Sequence, residues 1–339
     1  MSVDKYILCC YSIIKDMQIA RHKKGRERLD LMKRTQIINR KRIRKILSNW
    51  QLYLMLLPAV IYIILFLYKP MYGIQIAFRD FQFRDGITGS KWVGLEQFKR
   101  LFNSYWFPII LKNTLTISFL NLLLSFPLPI IFALSANELR NEKVKRTLQT
   151  VSYAPHFISM VVMCGMVIMF TSPSSGIINK IIEFFGGEAI SFMQRPELFK
   201  WIYVLSGIWQ GTGWSAIIYF SALAAVDKSL LEAAEIDGAS RLQRIFYINL
   251  PTIVPTISIQ IVLAVGRLMS LGQEKVLLLQ TSPNLIGSEI IASYVYKVGL
   301  EQYSYSFSTA AGLFNSLCNC VLLITANTIT KKITKQGLW

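Results

Sequence analysis

Six long stretches of this chain carry no Asp, Glu, Lys or Arg, and that spacing constrains its fold more than anything else in it. They cover residues 52–68, 113–137, 147–179, 201–226, 245–266 and 302–330. A helix needs roughly 20 mostly apolar residues to cross the hydrocarbon core of a bilayer. In lipid a helix satisfies its own backbone hydrogen bonds, so each stretch reads as a membrane-spanning helix. Hydrophobic residues make up 53% of the 339 and charged residues only 17%, where soluble domains run about 25% charged. That balance excludes a disordered chain, a collagen-like fibre and an ordinary water-soluble enzyme. The fold class expected is an all-α integral membrane protein with six transmembrane helices.

Shorter apolar runs read differently. Residues 276–288 contain Pro283 and suggest a re-entrant or surface segment. Residues 6–14 are too short to span, and the basic stretch follows them instead of preceding them, which argues against a signal peptide. The fifth span is expected to run slightly past Arg267. Interfacial helices are expected before the second span and between the fifth and sixth.

Orientation follows from Lys and Arg in the flanks. The formal net charge is +18, and much of it sits in the N-terminal tail. With that tail inside, the inner segments hold more than twice the Lys and Arg of the outer ones. Both termini are therefore expected in the cytoplasm. The outer segment 69–110 is itself fairly basic, but the tail outweighs it. Residues 21–45 of the tail serve as a topology signal or as a contact for anionic lipid headgroups.

Chemistry-bearing motifs are scarce. There is no GxxxxGK[ST] phosphate cradle, no HExxH and no GxSxG. Five cysteines without a CxxC pair suggest neither a disulfide framework nor a zinc site. His156, after Pro155, reads as a hydrogen-bonded residue at a helix end. Cys318 and Cys320 face different ways on one helix and read as packing residues. No catalytic residue and no metal site is expected.

One inner segment stands apart. Residues 227–250 read as two short helices with a hinge. Ser229 with Glu232 has the spacing of a capping box, and so has Ser240 with Gln243. Gly238 sits where a helix should end in a left-handed residue. Arg241 to Tyr247 forms the second helix, and Pro251 and Pro255 mark a turn into the fifth span. Ala233 and Ala234 permit close approach to a groove. Glu232, Glu235 and Asp237 offer carboxylates to a basic partner. A plain surface hairpin joining two spans remains the alternative.

The run EAAEIDGASRLQRIFYINLPTIVP, residues 232–255, resembles the EAA loop of binding-protein-dependent ABC importer permeases. Glu232, Ala233, Ala234, Gly238, Ile248, Leu250 and Pro251 match that pattern at its spacing. The preceding DKSLL, with Asp237 and Ala239, is typical of the carbohydrate branch, MalF-like and closest to the LplB-type oligosaccharide permeases. Residues 54–78, 94–102, 272–275, 294–300 and 337–339 are also similar to that branch. Gln273 departs from it, standing where relatives often carry an aromatic.

The resemblance implies a type I importer permease of MetI-like fold, one half of a translocation pathway. The resemblance runs from Leu54 to the C-terminus and leaves the residues before Leu54 outside it; the divisions expected are a basic tail 1–51, a first span with its outer segment 52–110, a permease domain 111–330 and a tail 331–339. The implied partners are a second permease subunit, an ABC ATPase dimer, an extracellular solute-binding lipoprotein, membrane lipid and an oligosaccharide, with no nucleic acid. The chain itself would hold no cofactor and be no enzyme, because ATP is bound by the ATPase. The implied location is the plasma membrane of a bacterium, crossed several times. The EAA helix would slot into a cleft on the ATPase, with Glu232 against a basic residue, Gly238 giving the bend and Leu250-Pro251 locking the loop to the fifth span. A non-carbohydrate solute such as a peptide is the alternative cargo.

Candidate pathway residues are Arg267, Trp209, Trp214 and Tyr219. A charge in the apolar region costs ~2.5–3.5 kcal/mol on insertion scales, so it should face water or a partner. Arg267 reads equally as a pathway residue or as one snorkelling to outer headgroups. The three aromatics suit stacking on sugar rings or anchoring at an interface. Gly207, Gly211 and Gly213 suit close helix approach, and Pro127, Pro129 and Pro155 suit kinks around a pathway. Residues 171–200 form an outer cap, read as a solvated loop with a short surface helix or as a contact for the binding protein.

Overall fold

A computed structural model describes residues 48–334 and Gly337. Most of the basic tail lies outside the described residues, as do Lys335, Gln336, Leu338 and Trp339. Two compact units are present, ending and beginning at Tyr72 and Gly73. In the first, an α-helix over Trp50–Tyr62 passes through a π-helical stretch, Ile63–Tyr68, into a last α turn at Lys69–Met71. Its residues are apolar on every face, as suits a helix solvated by lipid.

The second unit opens with a small antiparallel ribbon in which Arg79 pairs with Trp92 and Asp80 with Lys91. Every other regular element among the described residues is helical. Arg79 donates to the carbonyls of Thr88 and Ser90, closing the hairpin (3.0 and 2.8 Å). Phe81 N–H donates to Ser306 Oγ at 2.8 Å, tying the ribbon to the last helix.

Among the described residues four helices are long and apolar enough to cross a membrane: Trp50–Phe78, Trp106–Asn137, Arg241–Gly266 and Tyr305–Thr334. The third uncharged stretch does not form one straight span. It lies in a helix pair, Glu142–Phe157 and Met160–Phe170, bent by 98°. Pro155 opens a closing 3-10 turn, and Ser159 then caps the next helix by accepting from Val162 N–H. Met160–Phe170 has 11 residues, about 16 Å of helix, too short to cross alone. Counted as one, the bent pair gives a fifth span.

The fourth stretch falls in a 28-residue helix, Pro196–Leu223. That is ample length, yet the helix is less apolar than the other four. Its position explains why. It packs against Trp106–Ser125, Pro127–Asn137, Glu142–Tyr153 and Leu250–Gly266, so protein surrounds much of it and Ser206, Gln210 and Thr212 are tolerated. The approach is closest at Gly213, where a Cβ would lie 2.1 Å from the Ser152 carbonyl oxygen.

Two clusters form the core around this helix. One gathers Ile117, Met163, Phe199, Val204, Val276, Leu279 and Ile290. The other gathers Ala133, Ala216, Tyr219, Leu223 and Ile253. The 276–288 segment is only partly at the surface: Val276 and Leu279 are completely buried on the short helix Gln273–Leu279, whereas Pro283 and Ile286 are exposed. In the segment 171–200, expected to form an outer cap, Asn179 is buried. Its amide donates to the carbonyls of Thr171, Ser172 and Ile190 and accepts from Ile190 N–H, so one side chain holds both ends of that cap.

The span expected over residues 245–266 ends sooner than anticipated. Its last helical residue is Gly266, and Arg267 is the C-cap, where the carbonyl-rich end of a helix favours a cation. At its other end it does not turn at Pro251 and Pro255. Helix continues from Arg241 to Gly266, with a π-helical stretch at Ile245–Asn249. The wider turn changes the bonding register just before Pro251, which has no N–H to donate and a ring that would crowd an ordinary turn.

Candidate coupling elbow and pathway cavity

The elbow is built by local chain rules. The helix Lys228–Ile236 is capped by Asp227, which accepts from Ser229 N–H at 2.9 Å. Ser229 is therefore inside the helix, and the capping box expected at Ser229 and Glu232 is not formed. Aspartate prevails because its carboxylate meets the exposed N–H groups and the positive end of the helix. The hydroxyl and N–H of Ser229 hold the Asp227 carboxyl below the usual carboxylate range.

The helix closes as anticipated at Gly238, with φ +77°. Gly238 N–H donates to the Glu235 carbonyl and Ala239 N–H to that of Ala234. This pair of bonds is a Schellman motif. Ser240 then caps the next helix. Gln243 N–H donates to its hydroxyl, and the Gln243 side chain accepts from Ser240 N–H, giving the expected box. Two caps back to back leave no free residue at the hinge, so the bend is set by hydrogen bonds.

Glu232, Ala233 and Asp237 face outward, and among the described residues neither acid has an ion pair. Ala234, Asp237, Gly238, Ala239, Gln243 and Tyr247 line a groove of about 330 Å³ on the elbow. Exposed Ile236 and Leu242 add apolar surface nearby. Ile248 and Leu250 pack on the core cluster around Ile253, while Pro251 is exposed. Glu235 is not free for a partner: it bonds Arg244 at 3.3 Å and Arg140 at 3.5 Å.

Behind the elbow lies a polar node that the sequence alone did not reveal. Glu138, at the end of the Pro127–Asn137 helix, accepts from Arg244 at 3.0 Å and from Asn249 Nδ2 at 2.9 Å. The Glu138 and Arg244 side chains are 11% and 12% exposed. Asn249 is fully buried within the π-helical stretch. The elbow is thereby fastened to the second span. The available signal was a carboxylate placed directly after an uncharged stretch.

Trp214, Tyr219 and Arg267 line a single cavity of about 470 Å³, together with Asn121, Ser125 and Gln260. Tyr219 is buried and forms wall, whereas Trp214 is exposed. His156, expected to be hydrogen-bonded, stacks on Trp214 instead, centroids 4.4 Å apart and planes 7° from parallel. Trp209 is not part of this site. It lines a separate apolar cavity of about 400 Å³ with Trp201 and Phe170. A second lobe of about 260 Å³ shares Asn121, Ser125 and Ser215 with the first and reaches Lys275. Lys275 is another residue that charge-counting by stretch overlooked, because it lies between spans. Among the described residues no group of His, Cys, Asp and Glu is arranged to hold a metal ion.

Residues 125–335 match the family described as binding-protein-dependent transport system inner membrane component. The polygalacturonan/rhamnogalacturonan transport system permease protein YteP of Bacillus subtilis (strain 168) is 44% identical over 87% of this chain and 92% of its own length. Protein LplB of the same organism is 41% identical over 86% of this chain and 92% of its own. Among solved structures, a bacterial ABC transporter involved in import of the acidic polysaccharide alginate contains a similar chain. It is 39% identical with a TM-score of 0.79, covering 86% of this chain and 98% of that one. A chain of the alginate transporter in complex with alginate pentasaccharide-bound periplasmic protein gives 0.80 at 39% identity, covering 87% and 99%.

Proposed function

Because this chain belongs to the family of binding-protein-dependent transport system inner membrane components, we propose that it is the permease subunit of an ATP-driven importer for an oligosaccharide or polysaccharide fragment. It forms half of the pathway beside a second permease. A separate ABC ATPase dimer supplies the energy, and an extracellular solute-binding protein supplies the cargo. The chain crosses the membrane six times, with Pro196–Leu223 as the protein-shielded crossing and both termini in the cytoplasm.

The observation that carries this reading is the doubly capped elbow. A rigid bend at Gly238, an outward carboxylate at Glu232 and a groove beside Ala234 form a surface made to be gripped by another polypeptide. Closure of the ATPase dimer on ATP pulls two such elbows together, and the spans rock so that the cavity turns outward. A peptide cargo is the less supported alternative, since several relatives are named for glycans.

Glu232→Lys tests the coupling role. Uptake should fall below a tenth of wild type while the chain remains in the membrane at its normal level. Normal uptake by this variant would refute the assignment of the elbow.

A further inference from the structure

We propose that the pathway cavity selects saccharides bearing carboxylates, reading them with Arg267 and Lys275. This inference rests on the importer reading above and names the cargo class of the same site. The two adjoining lobes are lined by two cations, one in each, and by no Asp or Glu among the described residues. Neither cation is in an ion pair there.

Lys275 is the more telling of the two. It is only 5% exposed, and a buried ammonium ordinarily has a carboxylate partner. This one has a single described hydrogen bond, to the Tyr203 carbonyl at 2.7 Å, and lies over the Tyr203 ring at 4.5 Å. Two of its three donors are thus left for something else. Gly207 leaves room at that spot, since a Cβ there would sit 3.1 Å from Nζ. Glu289 and Lys297, by contrast, pair at 2.6 Å between the fifth and sixth spans, so the fold does provide counter-ions where a charge only fills a structural role.

Arg267 completes the arrangement at the exposed end of the fifth span. Its planar fork matches a carboxylate by two parallel hydrogen bonds. Between the cations the wall is neutral and polar, with Asn121, Ser125 and Gln260 available to sugar hydroxyls, and Trp214 offers an apolar face to a ring. Around buried Lys275 the low-dielectric wall strengthens the attraction for an anion beyond its value in water, and exposed Arg267 adds a second, more solvated pull. A neutral saccharide would leave both unsatisfied.

The test uses the complete importer in proteoliposomes: this chain, its second permease, the ATPase and the binding protein. The probes are trigalacturonate and its mono-, di- and trimethyl esters, alike in length and graded in charge. Wild type should lose ATP-dependent uptake with each ester added. Arg267→Gln and Lys275→Gln should each flatten that dependence about tenfold, the factor for one charge-assisted hydrogen bond. All chains are fed by one binding protein, so a change in slope reports the permease. Because Lys275 is buried, Lys275→Arg serves as its control and should retain the slope. Arg267→Gln, at an exposed helix end, carries the test even if Lys275→Gln fails to fold. Equal slopes in wild type and Arg267→Gln would overturn the inference and leave the importer reading standing; acids of the second permease neutralising the cations would produce that result. No ATP-dependent uptake of any probe by the wild-type assembly would also overturn the inference, whereas the importer reading fails separately, if Glu232→Lys leaves uptake normal.

Discussion

Glu138→Ala should uncouple the importer by loosening its elbow. The carboxylate accepts from Arg244 and from buried Asn249, so truncation strands a guanidinium and an amide together. Breaking a fully buried ion pair costs about 3–5 kcal/mol, and an exposed one is worth about 0–1. Here the side chains are 11–12% exposed, close to the buried limit, but Arg244 keeps Glu235 at 3.3 Å as a second partner. The expected loss is therefore intermediate, about 2–3 kcal/mol.

That loss should be read first as a lower thermal midpoint of the detergent-solubilised chain. In the assembled importer the same variant should hydrolyse ATP while uptake drops several-fold, because the elbow can then move without the second span. Removing both partners in Glu138→Ala/Arg244→Leu should recover roughly half the stability, since no charge is left unpaired. A Glu138→Ala midpoint within 1 °C of wild type, with uptake intact, would show that the node is not what fastens the elbow.

Two further substitutions separate backbone from packing. Gly238→Ala should cost only about 1 kcal/mol, because φ is +77° while a Cβ there meets nothing within 4 Å; a loss above about 3 kcal/mol in chemical unfolding would contradict the open space around Gly238. Gly213→Ala should cost more, about 1–3 kcal/mol or above, since its Cβ would lie 2.1 Å from the Ser152 oxygen and force two helices apart. A melting point unchanged in Gly213→Ala would contradict the close approach of Pro196–Leu223 to Glu142–Tyr153.

The features legible in the sequence were those fixed by short-range rules. Gly238 and the Ser240–Gln243 box are decided within a few residues, so spacing sufficed to place them. The cap at Asp227 was missed because two acceptable caps lay two residues apart, and only the helix start decides between them. A kink at Pro155 was legible, but not its 98° size, because that depends on Ser159 starting a new helix directly after the turn. Trp209 was grouped with Trp214 by type and proximity in sequence, yet five residues along a helix rotate a side chain by roughly 140°, and the structure puts them in different cavities. The Glu138 node and Lys275 depend on partners more than 70 residues away. No local pattern encodes such meetings.

One continuity connects the two sites. The helix that starts at the Ser240 cap is the same one that ends at Arg267, and it is unbroken for 26 residues, about 39 Å. A displacement applied at the elbow therefore needs no relay through loosely packed loops to reach the cavity. It needs only that the helix stay stiff, and two places test that stiffness: the π-helical stretch Ile245–Asn249 and Pro255. The first is braced by Asn249 on Glu138. At the second, the missing N–H leaves one carbonyl of the preceding turn without its helical donor. If force passes along this helix, Pro255 must hold against bending, and the elbow, braced on the second span through Asn249 and Glu138, then carries Arg267 with it. On that account elbow and cation form the two ends of one lever, so that loading of the cavity and closure of the ATPase are linked through a single helix.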